Sequence, residues 1–120
     1  MAENVTIYIS KQSDNDGLHL SDSEGHQGDN TITTDVAPGD IVTWSLVANG
    51  GVYQITAITD EDTNNLFVSN PAPTDPSNPQ SSWTGTVKSD ASGSESYSIS
   101  YRLSAGGTVL TDDPDLQIKT

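Results

Sequence analysis

A chain of 120 residues fits one domain, residues 1–120, and a hydrophobic share of 32% leaves it a lean core. Seventeen acidic residues stand against four fixed cations, Lys11, Lys88, Arg102 and Lys119, for a net charge of −13; such a surface repels phosphate backbones and anionic lipid, which excludes nucleic acid as a partner. No cysteine is present, so disulfides, zinc thiolates and thiol nucleophiles are excluded as well, and no run approaches the roughly 18 apolar residues of a membrane span.

Met1-Ala2-Glu3-Asn4 lacks the basic and apolar regions of a signal peptide, so the sequence as it stands reads as cytoplasmic, and as secreted or periplasmic if a leader has been removed. Val5, Ile7 and Ile9 alternate with polar residues, which predicts a half-buried opening strand. An acidic stretch over residues 13–29 follows, interrupted by a short extended piece at Leu18 to Leu20. Asn30 to Val36 resumes the strand pattern and delivers the chain to Pro38-Gly39-Asp40. Proline fixes φ there and glycine accepts a positive one, so a tight turn is expected.

Val42, Trp44 and Leu46 then alternate with Ile41, Thr43 and Ser45, with Trp44 as core anchor. Asn49-Gly50-Gly51 predicts a hairpin that folds Val52 to Thr59 back onto this strand, with Val52, Gln54, Thr56 and Ile58 on one face. The segment Ser69 to Ser82 carries Pro71, Pro73, Pro76 and Pro79 and reads as a loop, since proline has no amide donor for a ladder. Trp83 to Val87, then Tyr97, Ile99, Tyr101 and Leu103, give two further strands, and Leu116 and Ile118 a closing one. About eight short strands without a helical period predict an all-β fold, an antiparallel Greek-key β-sandwich.

The run Pro38-Gly39-Asp40-Ile41-Val42-Thr43-Trp44 resembles the strand of cupredoxin-like domains that opens on proline, glycine and aspartate and ends in an aromatic. Immunoglobulin-like sandwiches share much of the remaining pattern and are the alternative. The resemblance implies a scaffold without its metal: type 1 copper needs two histidines, a thiolate and usually a methionine. Here cysteine is absent, the one methionine is Met1, and Arg102, Leu103 and Ser104 stand where the thiolate is looked for.

Asp14-Asn15-Asp16-Gly17 looks like the middle of a calcium loop, but Gln12 and Ser23 occupy the first and twelfth ligand positions. The candidates for a non-standard calcium site are Asp14, Asp16, Asp22 and Glu24, with Asp29 in the same loop; a solvated acidic loop is the simpler reading. His19 and His26 match no compact metal template, and His19 faces away from Leu18 and Leu20. No Gly-x-Ser-x-Gly elbow is present, and the pairs Asp60/Asp62 and Asp112/Asp115 fall in turn segments, where aspartate serves local hydrogen bonding. The protein is therefore expected not to be an enzyme and to need no cofactor. Pro73, Pro76 and Pro79 have polyproline spacing without a cation to orient a partner, and Asn4-Val5-Thr6 fits a glycosylation acceptor. Trp83, Tyr8 and Tyr53 are the aromatics that can stack on sugar rings, although core packing, through its alternation with Val87, is the simpler reading of Trp83. The expected role is a binding or structural module for a protein or glycan partner, the alternative being a calcium- or carbohydrate-binding domain that uses loop 13–29.

Overall fold

Apolar side chains at every second position share one face of a pleated strand, and that period runs through the chain. The computed structural model describes residues 4–12, 17–23, 25, 27–28, 32–47, 50–60, 67–68, 71–78, 80–90 and 93–118, with the backbone alone at 60 and 94–96. Its strands are β1 Asn4–Lys11, β2 Leu18–Asp22, β3 Gln27–Gly28, β4 Thr33–Val36, β5 Ile41–Leu46, β6 Gln54–Asp60, β7 Ala72–Pro73, β8 Trp83–Thr86, β9 Ser94–Arg102, β10 Leu110–Asp112 and β11 Asp115–Ile118. Among the described residues there is no helix.

One sheet has the order β3-β2-β1-β5-β8-β7; the other has the order β10-β9-β11-β4, with β6 on β9. The expected antiparallel pairing holds for most neighbours but not for all. β1 and β5 run parallel, Ile7 opposite Trp44, and β4 and β11 run parallel, Val36 opposite Ile118. The chain changes sheets between β4 and β5, so these two consecutive strands do not pair and β5 joins β1 instead. The Pro38-Gly39-Asp40 turn makes that crossing. Gly39 has φ +88°, Asp40 N donates to Ala37 O at 3.0 Å, and the buried Asp40 carboxylate accepts from Ala37 N at 2.8 Å. Proline followed by a positive-φ glycine is a type II turn. Val87 fixes its outer side, accepting from Gly39 N and donating to Asp40 O.

The hairpin expected at Asn49-Gly50-Gly51 does not form between β5 and β6. Both edges of β5 are already occupied, by β1 and by β8, so the chain crosses instead to pair β6 with β9. Gly50 O accepts from Lys11 N at 2.7 Å, and Gly51 takes φ +89° where a Cβ would stand 3.0 Å from the Lys11 Cβ. β6 also departs from strict alternation. Its register on β9 shifts between Ile55 and Ala57, and the bulge at Thr56 turns both Ile55 and Ile58 into the core, three residues apart.

The two sheets share one core, built from Val5, Ile7 and Ile9 of β1, Trp44 of β5 and Tyr97, Ile99 and Tyr101 of β9, among others. Trp44 is 0% exposed and lies edge-on to Tyr97 and Phe67, with ring centroids at 5.6 and 5.8 Å. Burying such a side chain contributes about 1.5–3 kcal/mol, with roughly 0.5–1.5 kcal/mol more for each edge-on aromatic pair.

Candidate ligand-binding cleft

Buried polar groups need partners, and here they are found across the gap between the sheets. Trp44 Nε1 donates to Tyr97 Oη at 3.1 Å. Burial pushes the Tyr97 phenol far above the ordinary tyrosine range; the tryptophan hydrogen bond opposes that rise, and the charges of Asp115 and Asp22 add to it. Thr34 Oγ1, on β4, donates to Asp22 Oδ2, on β2, at 2.9 Å. Asp112 Oδ2 accepts both from Leu18 N at 2.8 Å and from Tyr101 Oη at 2.9 Å, tying β10 and β9 to the start of β2. Asp112, one of the carboxylates weighed for acid–base work, is thus committed to holding two sheets together.

The opposite arrangement is found beside β6. Among the described residues this strand pairs with β9 alone, and the described part of the proline-rich segment, 71–78 and 80–82, stands across from it, next to β8. That segment is a fixed wall. Pro71 is buried and sits where a Cβ on Gly85 would come within 2.9 Å of it. Thr74 N donates to Ser82 O, Asp75 N to Ser81 Oγ, and Asn78 N to Asp75 O. The Asp75 carboxylate accepts from both Ser77 N and Ser77 Oγ. Pro76 lies within this turn rather than in an extended polyproline run, and Pro79 is outside the described residues.

Two hollows border the wall, the first of them between it and β6. The first, of about 320 Å³, is lined by Gln54, Ile55, Thr56, Pro73, Pro76, Asn78, Trp83 and Arg102. The second, of about 550 Å³, is lined by Leu46, Val47, Gly50, Gly51, Val52, Tyr53, Gln80 and Leu103. Both volumes fall within the roughly 300–1,000 Å³ usual for small-molecule sites. Trp83 is the register partner of Trp44 on the neighbouring strand, but it stands only half-buried at the rim of the core. Arg102 Nε donates to Gly107 O at 3.1 Å, and Nη1 donates to Gln54 Oε1 at 3.3 Å, which holds the guanidinium beside the indole-lined hollow. The cleft can stack a flat or apolar ring face on Trp83 and offer amide and guanidinium hydrogen bonds around it.

The structure gathers some of the residues singled out in the sequence and separates others. Trp83 and Tyr53 line adjoining hollows, while Tyr8 is 42% exposed on β1, outside either one. Asp14, Asp16, Glu24, Asp29 and His26 lie outside the described residues. Asp22 continues the inward face of Leu18 and Leu20, and its carboxylate meets Thr34 in the interior. His19 is half-buried on the opposite face of β2. Among the described residues no group of three or more metal-ligating side chains comes together. Sequence reasoning counted Arg102 as a fixed cation and as a residue standing where a copper thiolate is looked for, not as part of a ligand site. Its one distinguishing signal was a charge at the end of the Tyr97 to Tyr101 alternation.

Compared with known families, residues 2–109 match the model described as Domain of unknown function (DUF8788). Among solved structures, the fold is similar to the crystal structure of the inclusion body protein PixA from Burkholderia cenocepacia J2315, with a TM-score of 0.57 and 12% identity over 98% of this chain and 96% of that one. A search among curated proteins found no match.

Proposed function

The chain belongs to that family of unknown function, and from this premise we propose that it is a non-catalytic binding module whose ligand is a carbohydrate seated between β6 and the proline-rich wall. The observation that carries the proposal is Trp83, half-buried in a hollow whose remaining polar lining is amides, a threonine and a guanidinium. An indole face covers the apolar side of a pyranose, and amides meet its hydroxyls with donors and acceptors at once. The reading includes no catalytic step and no cofactor: Asp22 and Asp112 spend their carboxylates on Thr34, Leu18 and Tyr101. A calcium role for loop 13–29 is the second reading, resting on the acidic residues gathered there. That the scaffold is a cupredoxin-like Greek-key sandwich stripped of its copper ligands belongs to the same proposal. It is supported by the type II turn at Pro38-Gly39 that feeds the Trp44 strand.

The test is isothermal titration of the full chain with a panel of acidic and neutral oligosaccharides, repeated on Trp83→Ala. Binding by at least one glycan that is abolished in the variant is the expected outcome. Absence of heat from every glycan, or unchanged binding by Trp83→Ala, sinks the reading. Calcium binding would raise the melting midpoint of the native state, whatever the glycan result.

A further inference from the structure

Resting on the carbohydrate reading of the same cleft, we infer that its ligand is an acidic sugar, with Arg102 taking the sugar carboxylate while Trp83 stacks on the ring. Arg102 is one of four fixed cations in a chain with 17 acidic residues, so ion pairing would be its ordinary fate. It is not paired. Among the described residues its guanidinium has two partners, the Gly107 carbonyl and the Gln54 side-chain carbonyl, and both are neutral. These two bonds fix the plane of the group and leave its remaining N–H donors and its full charge for the cleft.

The lining supports the same sign. Gln54, Ile55, Thr56, Pro73, Pro76, Asn78 and Trp83 carry no charge, so among the described residues Arg102 is the sole ionic group lining the hollow. Asp75, on the wall, is exposed and has its Oδ1 occupied by Ser77. The acidic exterior opposes an anion only at short range, because at physiological ionic strength charges beyond about 8 Å are screened. Inside a half-buried hollow the guanidinium is screened less. Its planar fork matches a carboxylate with two parallel hydrogen bonds, which a neutral hydroxymethyl cannot form. An uncharged ligand would leave a desolvated cation without a counter-charge, so the cleft discriminates between a hexose and its uronic acid.

The experiment uses wild-type full-length chain and pairs of trisaccharides matched in linkage, galacturonic acid against galactose, glucuronic acid against glucose and mannuronic acid against mannose, measured by titration calorimetry. The acidic member of at least one pair is expected to bind tenfold or more tighter than its neutral partner. Arg102→Gln, checked for an unchanged melting curve, is expected to erase that preference, the acidic member losing more affinity than its neutral partner. Arg102→Lys keeps the charge without the fork and is expected to fall between them. Equal or tighter binding of the neutral member in every pair that binds overturns the inference and leaves the carbohydrate reading standing. So does an acid preference that survives in Arg102→Gln. No binding by any of the six sugars overturns both. The wild-type comparison decides even if the variants fail to fold.

Discussion

Trp44 and Trp83 face each other across the β5–β8 ladder, so the same residue type sits at one register position on two neighbouring strands. Trp44 is sealed, with its indole N–H given to Tyr97 and two rings packed edge-on against it. Trp83, one strand nearer the sheet edge, meets the gap between β6 and the proline-rich wall and keeps part of its surface in solvent. Interior position converts an aromatic into stability, and edge position leaves it available to a ligand. The polar groups divide the same way. Asp22, Asp112 and the Tyr97 hydroxyl are used up between the sheets, whereas Arg102, Gln54 and Asn78 line open space.

The largest expected effect tests the sealed side. Trp44→Ala removes a fully buried indole and orphans the Tyr97 hydroxyl, and should cost about 3–5 kcal/mol. Chemical denaturation measures it; a loss under about 1 kcal/mol would show that Trp44 is not the anchor of the core.

Much of that sealed side was legible in the sequence. Period-two spacing named Val5, Ile7, Ile9, Trp44, Tyr97, Ile99 and Tyr101 as one core, because each strand buries one face and side-chain direction needs no long-range knowledge. Strand pairing was less legible. The Gly50-Gly51 turn reads locally as a hairpin, and only the prior occupation of both β5 edges sends β6 elsewhere. The Thr56 bulge is similar: nothing in Gln54 to Ile58 announces an extra residue, and it shifts which isoleucines are inward. The cleft was legible least. Gln54, Asn78, Trp83 and Arg102 come from separated segments, as do Leu18 and Asp112, which lie 94 positions apart yet share a hydrogen bond.

A smaller effect isolates the polar seam. Tyr97→Phe keeps the ring but leaves the Trp44 N–H buried without an acceptor, a cost of about 1–3 kcal/mol. It also changes the response to alkali. The Tyr97 phenol is raised above the unfolded tyrosine value of about 10, so the native state keeps a proton that the unfolded chain has released. Its contribution is complete below pH 10 and declines as pH climbs beyond it. Wild-type stability should therefore fall more steeply than that of Tyr97→Phe above pH 10, with the two slopes equal between pH 6 and 9. Parallel curves above pH 10 would mean that the phenol is not sealed.

The smallest expected stability effect comes from the register partner. Trp83→Ala removes an indole that is only half-buried, so it should cost roughly 1–2 kcal/mol, less than the Trp44 value. Its effect on ligand binding should be the reverse, total where any Trp44 variant that still folds retains binding. Comparing the two by melting and by titration separates the roles that one side chain plays at two depths. If Trp83→Ala destabilises as much as Trp44→Ala, the indole belongs to the core and the hollow beside it is a packing defect. If it costs little and binding disappears, the rim position is what the edge of the sheet supplies to function.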